Sequence, residues 1–162
     1  HDGMLFYQKL NVLKKLTPIT DKTPIDLIID SCGGSIYSMF TIIDSIQLSS
    51  IPIRTIGLGS VMSAASLILA AGTGGRFLAP NASILIHEMS TTLEGNSSNI
   101  KSNSSHIEEL GERWLDLYSK FTGKSKNWWR AKMKKDFYID TKTAIKYGLA
   151  DDILTKEIDN EI

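Results

Sequence analysis

Between residues 24 and 87, short apolar runs alternate with segments of helical period, and this alternation constrains the fold more than any other feature. Residues 24–30 are mostly apolar and lead into Cys32-Gly33-Gly34. They read as a buried strand with a glycine turn at its carboxyl end. Ile36, Met39, Phe40, Ile43 and Ile46 then recur at helical spacing, with Ser35 placed as an N-cap. Residues 52–58 form a second strand. Residues 63–71 are rich in Ala, Ser and Leu and predict a short buried helix closed by Gly72. Residues 76–78 and 83–87 are two more strands, split by Pro80-Asn81. Helices threaded between strands imply βαβ units and an α/β fold.

Leu5, Phe6, Leu10, Leu13 and Leu16 predict a first helix, stopped by Pro18. After His87 the character changes. Residues 91–103 are polar, rich in Ser and Asn, and contain Gly95, so a loop or exposed hairpin is expected. Ile107, Leu110, Trp114, Leu117, Tyr118 and Phe121 form an apolar stripe on a long helix ended by Gly123. A short helix is expected over 125–134 and another over 141–147, closed by Gly148. Asp140 is a candidate cap for the latter. Ile153-Leu154 predicts a last strand, followed by a frayed acidic end. Trp128-Trp129 are read as candidates for packing between subunits.

A chain of 162 residues suits one domain with a real core. Lys plus Arg and Asp plus Glu each total 18, which argues against a broad grip on nucleic acid or an anionic membrane. No apolar run approaches a membrane span. One cysteine, Cys32, excludes an internal disulfide framework or a multi-cysteine zinc site. Neither a metal-ligand spacing nor a dinucleotide-binding glycine motif is present. The opening His1-Asp2-Gly3 is expected to reflect a processed leader or a missing first segment.

Serine-based catalysis needs a base for the hydroxyl, a carboxylate for the base and donors for the oxyanion. Ser63 follows a strand and opens a helix, where backbone amides favour developing negative charge. Its position alone equally suits a helix cap, and Ser60 and Ser66 compete with it. No G-x-S-x-G elbow surrounds it. His87 ends a core strand and could be held rigidly as a base, or could be a structural histidine. Asp136 lies between the Lys132–Lys135 stretch and Phe137-Tyr138, and by itself reads as a solvated carboxylate. Gly33-Gly34 ends a strand at the sheet edge where α/β folds bind ligands. Paired glycines there either expose backbone amides to a substrate or simply make a turn.

Taken together, these segments resemble the Clp-type serine peptidase family, the proteolytic subunit of the ATP-dependent Clp protease. The resemblance rests on Ser31-Cys32-Gly33-Gly34-Ser35, on Gly59 ahead of Ser63, and on the run Ala71 to Asn81 with Arg76-Phe77 and Pro80. It rests further on Ile86-His87-Glu88, on Asp136-Phe137-Tyr138 and on Tyr147-Gly148-Leu149-Ala150-Asp151. The match spans about residues 24–155. It implies a crotonase-like fold of repeated βαβ units in a single domain over 1–162, with a protruding handle of about 89–121. It implies Ser63 as nucleophile, His87 as general base, Asp136 as its orienting carboxylate, and the amides of Gly34 and Ala64 as the oxyanion hole. Stacked heptameric rings of this chain, an unfolded polypeptide substrate and a hexameric AAA+ ATPase partner follow from the same resemblance. It implies no cofactor, metal, nucleic acid or membrane partner, and a cytoplasmic or organelle-matrix setting.

The chain departs from the family pattern in four ways. Cys32 stands where the family has Pro. Ala64-Ala65 stands for Met-Gly, and Glu88-Met89 for Gln-Pro, placing a negative charge beside the base. The family's N-terminal axial segment is expected to be absent. Two other readings compete: a catalytically silent scaffold in a mixed ring, and a crotonase-like acyl-CoA enzyme. Fold alone does not separate them.

Overall fold

The computed structural model describes residues 2–16 and 23–155. The expected stop at Pro18 and the acidic C-terminal end lie outside the described residues. Helix α1 (Asp2–Leu16) packs against α2 (Ile36–Gln47). The sheet is built from β1 (Ile25–Ser31), β2 (Ile53–Met62), β3 (Arg76–Leu78), β4 (Ser83–Ile86), β5 (Phe137–Ile139) and β6 (Asp152–Ile153). Every pairing is parallel except β4 with β5. The mixed α/β architecture with one sheet and surrounding helices is the fold class expected from the alternation.

Strand β2 organises the sheet. Thr55 pairs with Leu27 of β1 on one side and Arg76 of β3 on the other. Beyond Gly57 the second side passes from β3 to β4, with Met62 opposite Leu85. The pairing register slips by two residues between β3 and β4, which Ala79–Ala82 absorbs around Pro80-Asn81. A proline has no N–H to lend to a ladder, so the break falls there. The sequence reading ended β2 at Leu58. Cross-strand pairing carries the strand on to Met62.

Helix α3 (Ala64–Ala70) is almost wholly buried, with Leu67 and Leu69 fully enclosed. Burying each leucine contributes about 1.5–3 kcal/mol. Its small residues let it lie close to the sheet and to α2 and α4 (Ser97–Thr122). Helices α5 (Lys126–Lys132) and α6 (Thr141–Lys146) complete the chain. Arg76 ties three distant elements together: its guanidinium donates to the carbonyls of Phe121 and Gly148 and pairs with Asp151.

Two expectations are corrected, and a third, the Ser35 cap, holds in position. Residues 97–103 are helix, not loop, because Asn96 caps α4 by accepting the Asn99 N–H at 2.9 Å. Ser and Asn after that cap are tolerated in an exposed helix. Trp129 is fully buried inside this chain, its indole N–H on Thr122 Oγ1 at 2.8 Å, rather than between subunits. Ser35 occupies the N-cap position of α2 without a side-chain cap bond. Asn96→Ala is expected to cost about 1 kcal/mol of local helix stability. Amide exchange over residues 97–103 should accelerate severalfold, and unchanged protection would refute the capping role.

Candidate active site

Ser63 sits where β2 ends and α3 begins, with φ 54° and ψ −124°. It is the only non-glycine residue with positive φ among the described residues. Such backbone costs on the order of 1–3 kcal/mol and persists only where surroundings enforce it. The bland alternative of a helix cap is not what the side chain does, since it makes no cap hydrogen bond. Its N–H donates to the Leu85 carbonyl at 2.8 Å, which locks the turn to β4. Ser63 is half-buried.

The same ladder places the other two candidates. His87 directly follows β4, two residues past the Leu85 that holds Ser63. Ile86 pairs with Phe137 in antiparallel register, and His87 and Asp136 are the next residues along the chain beyond that pair. Ser63 and His87 line one cavity, and Asp136 directly precedes β5, the strand paired beside β4. His87 is half-buried and Asp136 is exposed. No side-chain hydrogen bond joins Ser63 to His87, or His87 to Asp136, among the described residues. Asp140, the competing carboxylate, is occupied as the α6 cap, accepting the Thr143 N–H at 2.7 Å. Hydrogen bonding to Thr143 holds its carboxyl below the usual range.

Gly33 and Gly34 approach the same turn. A Cβ on Gly33 would lie 2.8 Å from Ser63 Cβ and 2.9 Å from the Met62 carbonyl oxygen, at φ 101°. Only glycine fits there. Gly33→Ala is expected to destabilise the fold by about 2–4 kcal/mol, through strain and backbone contact together. A urea denaturation midpoint equal to wild type would show that the turn can yield. Gly34 is exposed and opens, with Ser63 and His87, onto one cavity of about 450 Å³. Ala64 heads α3, so its N–H has no intrahelical acceptor. Gly34 lines the cavity with Ser63, and the Ala64 amide directly follows Ser63 in the chain.

An apolar part of the remaining wall is formed by Ile36, Met89, Leu93, Ile107, Leu110 and Trp114, beside the polar Ser35, Ser90, Thr91 and Asn103. Tyr37 and His106 line it too, and their hydroxyl and Nε2 are 2.9 Å apart, bridging α2 to α4. His106 stands in the polar stretch that leads into the apolar stripe and was not read as a site residue. Its spacing of four from Leu110 was the available signal, because both then share one helix face. Ser60 lies in β2, its N–H held by Asp30, and Ser66 is fully buried. Neither competes with Ser63 for the cavity. Cys32 is free and exposed. Among the described residues, no helix is long and apolar enough to cross a membrane.

Comparison with known proteins identifies the family. The family model described as Clp protease matches residues 5–157. The ATP-dependent Clp protease proteolytic subunit of Deinococcus radiodurans is 30% identical over 137 residues, covering 84% of this chain and 67% of that protein. The glycine turn, the strained serine at a strand end and the histidine beyond β4 all fall within the matched span, and the chain belongs to the Clp protease family.

Proposed function

We propose that this chain is a serine endopeptidase subunit that hydrolyses unfolded polypeptides through an acyl-enzyme. Ser63 attacks the scissile carbonyl, and His87 takes its proton and returns it to the leaving amine. Asp136 orients His87 and stabilises its cationic form. The amides of Gly34 and Ala64 hold the oxyanion. Water, activated by His87, then releases the acyl group. The observation that carries this reading is the strained Ser63 facing one cavity with His87 and Gly34. The apolar cavity wall suits a peptide's apolar side chains.

As a ring-forming subunit, the chain stacks two heptamers, with α4 in the handle between them. The exposed start of α4, residues 97–103, supports that role. The relative's description as ATP-dependent supports an AAA+ partner that supplies unfolded chains, ATP being consumed there. The work would take place in the cytoplasm. A single domain over the whole chain fits the continuous sheet.

A second reading, a catalytically silent ring subunit, draws on the missing hydrogen bonds between the three side chains. Labelling the assembled protein with a fluorophosphonate, followed by peptide mapping, separates the two. Modification at Ser63 is expected. An assembled ring that stays unlabelled would overturn the peptidase and favour the scaffold.

A further inference from the structure

We infer that Ser66 and Tyr118 are positioning residues for Ser63, forming a buried hydroxyl relay that clamps the strained turn. The inference rests on the reading of Ser63 as nucleophile. Ser66 Oγ lies 2.7 Å from the Ser63 carbonyl oxygen and 2.7 Å from the Tyr118 hydroxyl. A carbonyl only accepts, so the single Ser66 proton goes to Ser63. Ser66 Oγ must then accept from Tyr118. The relay runs in one direction, from Tyr118 through Ser66 to the Ser63 carbonyl.

Both Ser66 and Tyr118 are fully buried. Burial raises the Tyr118 phenol far above its ordinary pKa, so it stays a neutral donor. The Ser63 carbonyl also accepts the Ser66 N–H at 3.0 Å, while the Ser63 N–H is held by Leu85. Both peptide groups that flank the strained residue are therefore tied. Each net hydrogen bond contributes on the order of 1 kcal/mol, comparable to the strain it opposes. The far end of the relay is itself fixed. The Tyr118 ring packs 4.9 Å from Trp129 and 5.6 Å from Trp114, centroid to centroid. The same ring belongs to the apolar stripe of α4, whose packing does not need a hydroxyl. An apolar residue would fill that stripe as well; the hydroxyl is explained by the turn it reaches.

The test uses Ser66→Ala, Tyr118→Phe and the double variant, each in the assembled protein. Ser66→Ala leaves the Tyr118 hydroxyl buried without its acceptor, so stability falls. The double variant removes that orphan, and its denaturation midpoint should recover toward wild type. A structural role alone would restore reactivity along with stability. A positioning role would not. The rate constant for fluorophosphonate labelling of Ser63 is expected to fall roughly tenfold or more in Ser66→Ala and to stay low in the double variant. The KM for a short peptide should remain unchanged while kcat falls with the labelling rate. Tyr118→Phe keeps the Ser66 bond to Ser63, so its loss should be smaller. A wild-type labelling rate in Ser66→Ala, or its return in the double variant, would overturn the inference. Absence of labelling in the assembled wild type would instead overturn the peptidase reading, and the inference with it.

Discussion

Ser63→Ala is expected to lower peptide hydrolysis by a factor on the order of 10⁶ in kcat while leaving assembly and thermal stability intact. The size follows from removing the only group that forms the acyl bond; what remains is binding and the two amides near the oxyanion. Stability should survive for a structural reason. Ser63 makes no cap hydrogen bond, so its hydroxyl supports no helix end. Alanine also tolerates the positive φ no worse than serine does. The Leu85 and Ser66 bonds to the Ser63 backbone are untouched by the substitution. Hydrolysis of a short fluorogenic peptide and a melting curve give both readings together. Activity retained within tenfold would mean that another residue attacks, and Ser63 would be only a strained corner.

Asp136→Asn is expected to cost about 10⁴ in kcat, because an amide can stabilise neither the correct histidine tautomer nor its cation. Asparagine matches aspartate in shape, and the β4–β5 ladder is a backbone pairing, so the fold should not change. Asp136 is exposed in the isolated chain, which makes this the more demanding test of the triad. Asp140→Asn is the control. Asparagine caps helices as well as aspartate does, so α6 and the reaction rate should both persist. If Asp136→Asn keeps more than a tenth of wild-type kcat, His87 is oriented by something else. If Asp140→Asn fails in its place, the carboxylate assignment has been made to the wrong residue.

Much of this architecture could be read before any coordinates. Each short apolar run became a strand, and the stripe from Ile107 to Phe121 became one face of α4. Asp140 was legible as a cap because capping is a local act between residues three apart. Cys32-Gly33-Gly34 was legible as a turn because glycine permits backbone that other residues resist. The misreadings have one kind of cause. Residues 97–103 looked like loop or hairpin because of their polarity and Gly95, although a single Asn96 cap suffices to start a helix. Strand β2 was read only to Leu58 because its extension depends on β4, which lies some twenty residues further along. Strand β5 passed unnoticed, its three residues too few to carry a period.

The sequence by itself determined the order of the elements, the glycine turn and, through motif resemblance, the identity of the three candidate catalytic residues. Tertiary structure alone decided that Ser63 has a strained positive φ, that Leu85, two residues before His87, holds its N–H, and that β5, which Asp136 precedes, pairs antiparallel to β4. It alone joined Tyr118 to Ser66, and His106 to Tyr37 across the cavity. Local spacing governs helices and turns because those bonds close within a few residues. Sheet register and side-chain hydroxyl contacts close across 20 to 70 residues of chain, where no pattern in neighbouring positions encodes the partner.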